Sequence, residues 1–473
     1  MFERKKMNRD THRSIRRLAF LLGGAAMLIA TGCSNGRVSN TNPGLAGDTA
    51  KAHSYVGTQS QQWTTDLGLN CTVCGWNYGG VWSLSVDDGN NAYSYANVDF
   101  NASYYISDDY PEMETQIVSS GTIASSSPFK VFTPYSGGSA GSDGYALEVS
   151  GETLIVRPRV YTNTGQYAIT VIPDTMPPVI GVDNTQCRTL AAPTTYQFIS
   201  LGSDDTDSSA KYDGASLVNS AAWGSVQAST SGIDWTFSNL KMYAFDGTDL
   251  KPTALPVGAC GATQEGYAVT IARSAATNNL PITAQVSSSG YFIMSQGQGS
   301  AGSWAFPPAT TGPYGLVGVV QPSSQLSTSG LVAAKYAGFE YNPMLDQLGI
   351  PGTLPVLFSG GSGTTLTGGA YPNDDLTQTP ATNVTIDLGT QDSSNNGLYK
   401  SVTVTVPDTY KGCVKQSYGG TDAGGNPTCI FTGVAVAGNP NGKFVLFVTV
   451  NDLSEQNRGL NPHAALNFFL YQQ

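Results

Sequence analysis

Charged residues and histidines are scarce in this chain. Only 12% of its 473 residues are Asp, Glu, Lys or Arg, about half the share usual in globular proteins. The polar surface must therefore come from Ser, Thr, Asn, Gln and Gly, a composition common in β-proteins. The three histidines are His12, His53 and His463. Since the first two precede the expected folded body, a histidine base or ligand cluster would depend on His463 alone, which we expect in a solvent-facing loop.

Acidic residues outnumber basic ones in most of the chain. Residues 1–32 hold seven of the 23 Lys and Arg but only two of the 34 Asp and Glu, which leaves 33–473 with a net charge of −16. A body this acidic repels phosphate backbones and anionic lipid surfaces at long range. We therefore expect no nucleic-acid partner.

The N-terminus combines a basic segment with a short apolar one. Seven basic residues precede the run LAFLLGGAAMLIA, Leu18–Ala30. As a helix this run would rise roughly 20 Å, short of the ~30 Å hydrocarbon core of a bilayer. The pattern predicts the hydrophobic region of a signal peptide covering residues 1–32, and not a mature membrane span.

Small residues lead directly into a cysteine at the end of this run. The segment Ala30-Thr31-Gly32-Cys33 resembles the lipobox of bacterial lipoproteins, with Ala30 in the place where leucine is usual. The resemblance implies a diacylglyceryl group on the Cys33 thiol, cleavage before Cys33 and acylation of the new amino terminus. Several acyl chains on one residue anchor a protein stably in a membrane. Ser34 after the cysteine, by similarity to Gram-negative sorting, implies the outer membrane.

Two other interpretations of the N-terminus stay open. The first is an ordinary secretory signal that is cleaved near Ala30 and leaves Cys33 as a plain thiol. The second is a twin-arginine signal at Arg16-Arg17, whose surroundings fit that motif only loosely. Both predict an exported protein, and the first predicts one without a lipid anchor.

The number of cysteines agrees with lipidation. There are seven, and assigning Cys33 to lipid leaves an even set that can pair fully in an oxidising compartment. Nearest-neighbour pairing is the simplest arrangement. The six candidates for disulfides are Cys71, Cys74, Cys187, Cys260, Cys413 and Cys429.

The pair Cys71-Thr-Val-Cys74 has alternatives to a disulfide. A thioredoxin-like redox site needs a helix after the second cysteine, whereas Gly75 begins a turn-like sequence. A zinc site needs two further ligands at short spacing, and none follow. We expect a structural disulfide, with a redox or metal pair as alternatives.

Alternating apolar and polar residues recur through the body. Trp82–Val86 and Val402–Val406 place apolar residues on one face of a strand, and Phe444–Val448 is continuously apolar, as in a strand covered on both faces. Outside the signal only Asn342–Gly349 resembles a short helical turn. The fold class is therefore predicted to be all-β.

The length of the chain and its Pro- and Gly-rich segments indicate two or three β-sandwich or small β-barrel domains. Residues 33–60 are polar and without period, which predicts a lipidated flexible tether. Pro- and Gly-rich stretches at 171–179 and 296–313 then divide the body. The expected domains are residues 61–175, 176–305 and 306–473.

Two sets of side chains are candidate ligand sites. Asp205, Asp207 and Asp213 place hard oxygen ligands at short spacing and form a weak calcium candidate, without the Gly and terminal Glu of an EF-hand loop. Ordinary Asp-rich turns are the simpler explanation. Tyrosines lie among Asn, Ser and Asp, a setting that suits sugar rings or protein partners, although half-buried strand faces explain them too. These tyrosines are Tyr93, Tyr95, Tyr104, Tyr105 and Tyr110.

No set of residues predicts catalysis. The segment 137–141, GGSAG, fits the pattern of a nucleophile elbow but lacks the preceding strand and following helix. We therefore expect no catalytic residues and no cofactor. The leading hypothesis is a non-enzymatic cell-envelope lipoprotein whose β-domains bind or contact a glycan or a protein, with the membrane reached through lipid. The alternatives are a glycan-active hydrolase using Asp/Glu pairs and a small-molecule carrier with an apolar barrel cavity.

Overall fold

Nearly all of the described chain is β-structure. The computed structural model describes residues 52–64, 75–89, 91–105, 114–117, 120–134, 144–149, 152–157, 160–163, 178–183, 189–200, 222–232, 234–244, 247, 249, 257–262, 267–271, 282–287, 289–296, 315–342, 353–410, 413, 418–422, 424–451 and 465–473. Strands dominate these ranges, which confirms the predicted all-β class. None of the helices in these ranges is long and apolar enough to cross a membrane.

Eight antiparallel strands close into a first barrel. The first ten strands are β1 (Ala52–Thr64), β2 (Gly75–Asp87), β3 (Ala92–Tyr105), β4 (Glu114–Ile117), β5 (Ser120–Ser126), β6 (Phe129–Pro134), β7 (Gly144–Val149), β8 (Thr153–Arg157), β9 (Val160–Asn163) and β10 (Val179–Asp183). The barrel order is β1-β2-β3-β5-β6-β7-β8-β10, with β10 pairing back on β1. Strands β4 and β9 form a separate two-stranded sheet.

The second barrel is a simple meander in which each strand pairs with the next. Its strands are β11 (Thr194–Ser200), β12 (Ala222–Ser231), β13 (Asp234–Ala244), β14 (Val257–Ala262), β15 (Tyr267–Ile271), β16 (Ile282–Val286), β17 (Tyr291–Gln296) and β18 (Gly315–Val320). Strand β18 closes the ring on β11. Aromatic rings fill the inner face, where Tyr196 stacks on Phe292 with 5.3 Å between ring centroids.

A short helix leads into a third, curled sheet. Helix α1 (Thr328–Ala333) is capped at its N-terminus by Ser327, whose side chain accepts a hydrogen bond from the backbone N–H of Gly330, 3.1 Å away. One-turn 3-10 helices lie at Pro372–Asp374 and Pro440–Gly442. The strands are β19 (Tyr336–Tyr341), β20 (Thr353–Ser362), β21 (Thr365–Ala370), β22 (Val384–Asp387), β23 (Leu398–Pro407), β24 (Tyr418–Thr421), β25 (Pro427–Gly438), β26 (Val445–Asn451) and β27 (Ala465–Gln472).

The third sheet also closes on itself. Strand β19 pairs with both β20 and β27, and β23 pairs with β25, so eight of the nine strands form a ring. Strand β24 pairs with the first residues of β25. We call the apolar cluster enclosed by this ring the inner core; it includes Tyr336, Phe358, Phe431 and Phe468.

A second apolar cluster joins the three sheets through their outer faces, and we call it the joint core. The Phe129 ring of the first barrel meets the Phe339 ring of the third sheet edge to face, with centroids 5.6 Å apart. Tyr291 of the second barrel lies 5.8 Å from Tyr471 of the third sheet, again between centroids. Because the cluster is continuous, the three sheets pack together as neighbours.

Several predicted strands are confirmed. Trp82–Val86 lies within β2 and Val402–Val406 within β23. The continuously apolar Phe444–Val448 enters β26, all seven residues of which are buried, as expected for a strand covered on both faces. Of the expected helical turn at Asn342–Gly349, residues after Asn342 lie outside the described ranges.

The positions of the strands differ from the tether and the linking segments that the sequence predicts. Strand β1 begins at Ala52, inside the stretch 33–60 for which the sequence predicts a tether. The Pro-rich stretch 171–179 leads into β10 of the first barrel, and 296–313 lies between β17 and β18 of the second. The sheets change between Asp183 and Thr194, and between Val320 and Tyr336. The division into domains stays a prediction.

Candidate functional site

Polar and charged side chains converge at one end of the first barrel. His53 and Tyr55 come from the first residues of β1, Asp88 from the turn after β2, Lys130 from β6 and Glu148 from β7. We call these five residues the mouth cluster. Antiparallel pairing brings them together because the start of β1 lies opposite the end of β2, with His53 facing Val86 in register.

Glu148 is the centre of the mouth cluster. Its Oε1 accepts hydrogen bonds from the Tyr55 hydroxyl and from Nδ1 of His53. Its Oε2 lies 2.7 Å from the Lys130 ammonium, which in turn lies 2.5 Å from Oδ1 of Asp88. One carboxylate thus joins strands β1, β6 and β7 through charge-assisted hydrogen bonds, the stronger kind in proteins.

The contacts of the mouth cluster fix its protonation. Burial disfavours the charged form of Glu148, but hydrogen bonds from Lys130, Tyr55 and His53 outweigh it and lower the pKa of this carboxyl. Burial likewise opposes the charge on Lys130, yet hydrogen bonds to Asp88 and Glu148 raise its pKa. Burial, together with the Glu148 charge, raises the pKa of Tyr55 well above its ordinary value. At neutral pH the cluster therefore holds an ionised Glu148, a charged Lys130 and a neutral Tyr55.

The cluster runs from solvent into the barrel. The side chains of His53 and Asp88 are 41% and 46% exposed, whereas those of Lys130 and Glu148 are 16% and 10% exposed. Tyr55 is wholly buried. The mouth therefore offers an accessible imidazole and carboxylate above a fixed ion pair.

This geometry favours holding charge over transferring protons. A glycosidase-type general acid needs a carboxyl whose pKa is raised towards neutrality, and the pKa of Glu148 is lowered. Asp88 and Glu148 do lie close together, but the Lys130 ammonium bridges them. The pair is thus a salt-bridged contact that can orient a polar ligand.

The other predicted site residues are only partly described. The disulfide Cys413–Cys429 is confirmed. Tyr93, Tyr95, Tyr104 and Tyr105 lie on β3, where the backbone register places Tyr93 opposite Val86 and Tyr95 opposite Leu84. Their side chains lie outside the described part of the structure. So do Tyr110, the calcium candidates Asp205, Asp207 and Asp213, the segment 137–141, His463, Cys33, Cys71, Cys74 and Cys187 and the side chain of Cys260. Among the described residues, no group of three His, Cys, Asp or Glu could hold a metal ion.

The mouth cluster is hard to predict from the sequence. Glu148 lies 95 residues from His53 and 93 from Tyr55 along the chain, so no local motif connects them. His53 lies in a polar stretch without period, because β1 is polar and hides its alternation. Compared with known proteins, the chain matches no family model and no curated protein.

Proposed function

We propose that this protein is a lipid-anchored component of the bacterial cell envelope whose β-sheets form a non-catalytic body for binding or structural contact. The lipobox-like sequence at Cys33 supports an anchor in the outer membrane. The proposal assigns the anchor to the N-terminal lipid and the contact to the mouth cluster.

The single observation that carries the proposal is the joint core. Side chains from the outer faces of all three sheets, such as Ile180, Val317 and Phe447, are buried in one apolar cluster. Burying outer faces against one another couples the sheets and suits a body that holds a surface in a fixed orientation. The inner face of the second barrel is packed with aromatic side chains, including Phe198 and Phe237. This packing supports a scaffold over a carrier with an apolar cavity.

The mouth cluster supplies the contact site. His53 and Asp88 present one donor or acceptor and one carboxylate to solvent, and the pair Lys130–Glu148 beneath them fixes their surroundings. Hydrogen-bonding groups held in place in this way suit the hydroxyl groups of a glycan or the polar groups of a protein segment.

The anchor is tested by replacing one sulfur. We expect intact-mass analysis of membrane-extracted protein to show a mature chain that begins at Cys33 and carries fatty-acid mass. The Cys33→Ser variant should be released from the membrane fraction. A mature chain that begins elsewhere, or lacks acyl mass, contradicts the anchor.

The non-catalytic body is tested on protein that begins at Ser34. We expect no turnover of glycan, ester or peptide substrates, and we expect cosedimentation with isolated peptidoglycan that His53→Gln and Asp88→Asn weaken. Asp422→Asn on the exposed turn of the third sheet is the matched control and should bind as the parent does. Turnover of one of these substrates that a point substitution abolishes overturns the proposal. Peptidoglycan binding that neither His53→Gln nor Asp88→Asn weakens shows that the mouth cluster is not the contact site.

A further inference from the structure

A fully buried acid lies inside the third sheet, away from the mouth cluster. Glu340 on β19 is 0% exposed. Its neighbours Phe339 and Tyr341 belong to the joint core, whereas Tyr336, on the same face of the strand as Glu340, belongs to the inner core. In register Glu340 lies opposite Leu354 and Phe468. Its carboxyl therefore points into an apolar interior.

Within the described ranges this carboxyl has a single hydrogen-bond partner. Its Oε1 accepts a hydrogen bond from the Tyr410 hydroxyl, and its Oε2 has no hydrogen-bond partner among the described residues. Burial alone raises the pKa of Glu340 to about 8, and no charged group of the described structure contributes. The carboxyl is therefore neutral at pH 7, and in the described structure Tyr410 lies against it as its hydrogen-bond donor.

A disulfide fixes the turn that carries Tyr410. The backbone N–H of Tyr410 donates to the Pro407 carbonyl at the end of β23, and the N–H of Cys413 donates to the Tyr410 carbonyl, 2.9 Å away. Cys413 is bonded to Cys429, a wholly buried residue of β25. Tyr410 and Cys413 both pack against the inner core. The disulfide thus ties the covering turn to the wall of the sheet.

We propose that the Cys413–Cys429 disulfide is a latch that holds Tyr410 over Glu340, so that its cleavage by a dithiol uncovers the carboxyl and opens this end of the third sheet to water. In the exchange, the dithiol supplies two electrons to the sulfur–sulfur bond. Its two protons end on the Cys413 and Cys429 thiols, and the dithiol leaves as a disulfide. Uncovered, Glu340 is solvated and ionises at neutral pH. This device is independent of the proposed binding function.

The test follows the Glu340 carboxyl itself. A reductant would act on any other disulfide as well, so the double variant Cys413→Ser, Cys429→Ser carries the experiment. The side-chain carboxyl ¹³C signal of Glu340, assigned with Glu340→Gln, is titrated in the full-length chain. We expect the midpoint to fall from about 8 in the parent towards the ordinary 4.5 in the double variant. An unchanged midpoint overturns the proposal.

A second variant separates the cap from the latch. Tyr410→Ala keeps the disulfide but removes the cover, and should lower the midpoint as the double serine variant does. Hydrogen exchange of the β19 amides should rise in both variants. Far-UV circular dichroism reports the fold. If the double variant loses its β signal, or Tyr410→Ala leaves the midpoint unchanged, the disulfide holds the sheet as a whole and the latch is refuted.

Discussion

The Lys130 ammonium lies 2.7 Å from Oε2 of Glu148, with side chains that are only 16% and 10% exposed. The pair joins neighbouring strands β6 and β7 on the inner face of the first barrel, where Tyr55 and His53 also reach the carboxylate. Partly buried pairs of this kind are costly to break, because the remaining charge loses its partner while it stays desolvated.

Lys130→Met should therefore destabilise the protein by about 2–3 kcal/mol, below the cost for a fully buried pair because this one reaches solvent. Lys400→Met is the matched control. Lys400 pairs with Asp392 at 2.6 Å but is 45% exposed, so its loss should cost at most about 1 kcal/mol. The free energies of unfolding in urea, measured for both variants, compare the two losses. Equal effects of the two variants would show that burial of the Lys130 pair adds nothing.

The mouth cluster should make the protein less stable at low pH. The pKa of Glu148 is lowered below 4.5 in the folded protein, since its hydrogen bonds to Lys130, Tyr55 and His53 outweigh desolvation. Its contribution is therefore complete above 4.5 and is lost as the pH falls through the folded-state pKa. Lys130 affects stability at the alkaline end of the pH range. Because its pKa is raised above 10.5, its contribution is lost only as the pH rises beyond that value.

We expect Glu148→Gln to flatten the fall in unfolding free energy on the acid side, as measured by urea unfolding in a series of buffers below about pH 6. The variant should be less stable than the parent near neutrality and converge with it in acid. Parallel pH profiles for the two proteins would contradict the assigned contacts.

Glu340 should make stability depend on pH in the opposite sense to Glu148. Burial raises its pKa from 4.5 to about 8 in the folded protein. Between these values the folded state keeps a proton that the unfolded state releases, so stability falls as the pH rises from 4.5 to about 8. Glu340→Gln keeps an acceptor for Tyr410 and removes this penalty. It should match the parent near pH 4 and exceed its stability by on the order of several kcal/mol above pH 8.

Thermal unfolding of the parent and of Glu340→Gln across this range measures that difference. Phe468, opposite Glu340 in register and also wholly buried, offers a control at the same depth: Phe468→Leu should lower stability equally at every pH. A Glu340→Gln effect that is also independent of pH would show that the carboxyl does not titrate.

The joint core should make the sheets unfold together. The Phe129 ring of the first barrel contacts Phe339 and Tyr371 of the third sheet, at 5.6 and 5.9 Å between centroids. Phe129→Ala should cost roughly 3–5 kcal/mol and separate the calorimetric transition of the first barrel from that of the third sheet. Phe237→Ala removes the same volume inside the second barrel and should lower stability without splitting off the first barrel. A single transition in the Phe129 variant would contradict coupling through this contact.

The strands that the sequence predicts correctly are those with an apolar face. Val402, Val404 and Val406 alternate with threonines and line the inner core, so one-sided burial leaves its period in the sequence. Strand β26 is buried on both faces by the inner and joint cores, which is why its apolar residues are consecutive.

The mouth cluster could not be found in this way. Strand β1 carries His53 and Tyr55 into a polar barrel end, so the usual contrast between an apolar inner face and a polar outer one is missing. Lys130 and Glu148 reach the site only through long-range pairing. Glu340 could not be found either, since an acid that alternates with Phe339 and Tyr341 along a strand predicts an exposed face, whereas both faces of β19 are buried.

Strand β1 also sets how the chain withstands a mechanical load. All 13 of its residues pair with β2, and Tyr55–Thr58 also pair with β10. Hydrogen bonds in antiparallel sheets run perpendicular to the strands. A pull on the chain just before Ala52, directed along the strand, therefore loads these two ladders in shear. Many bonds must then give way at once, so the first barrel resists tension that is applied at Ala52.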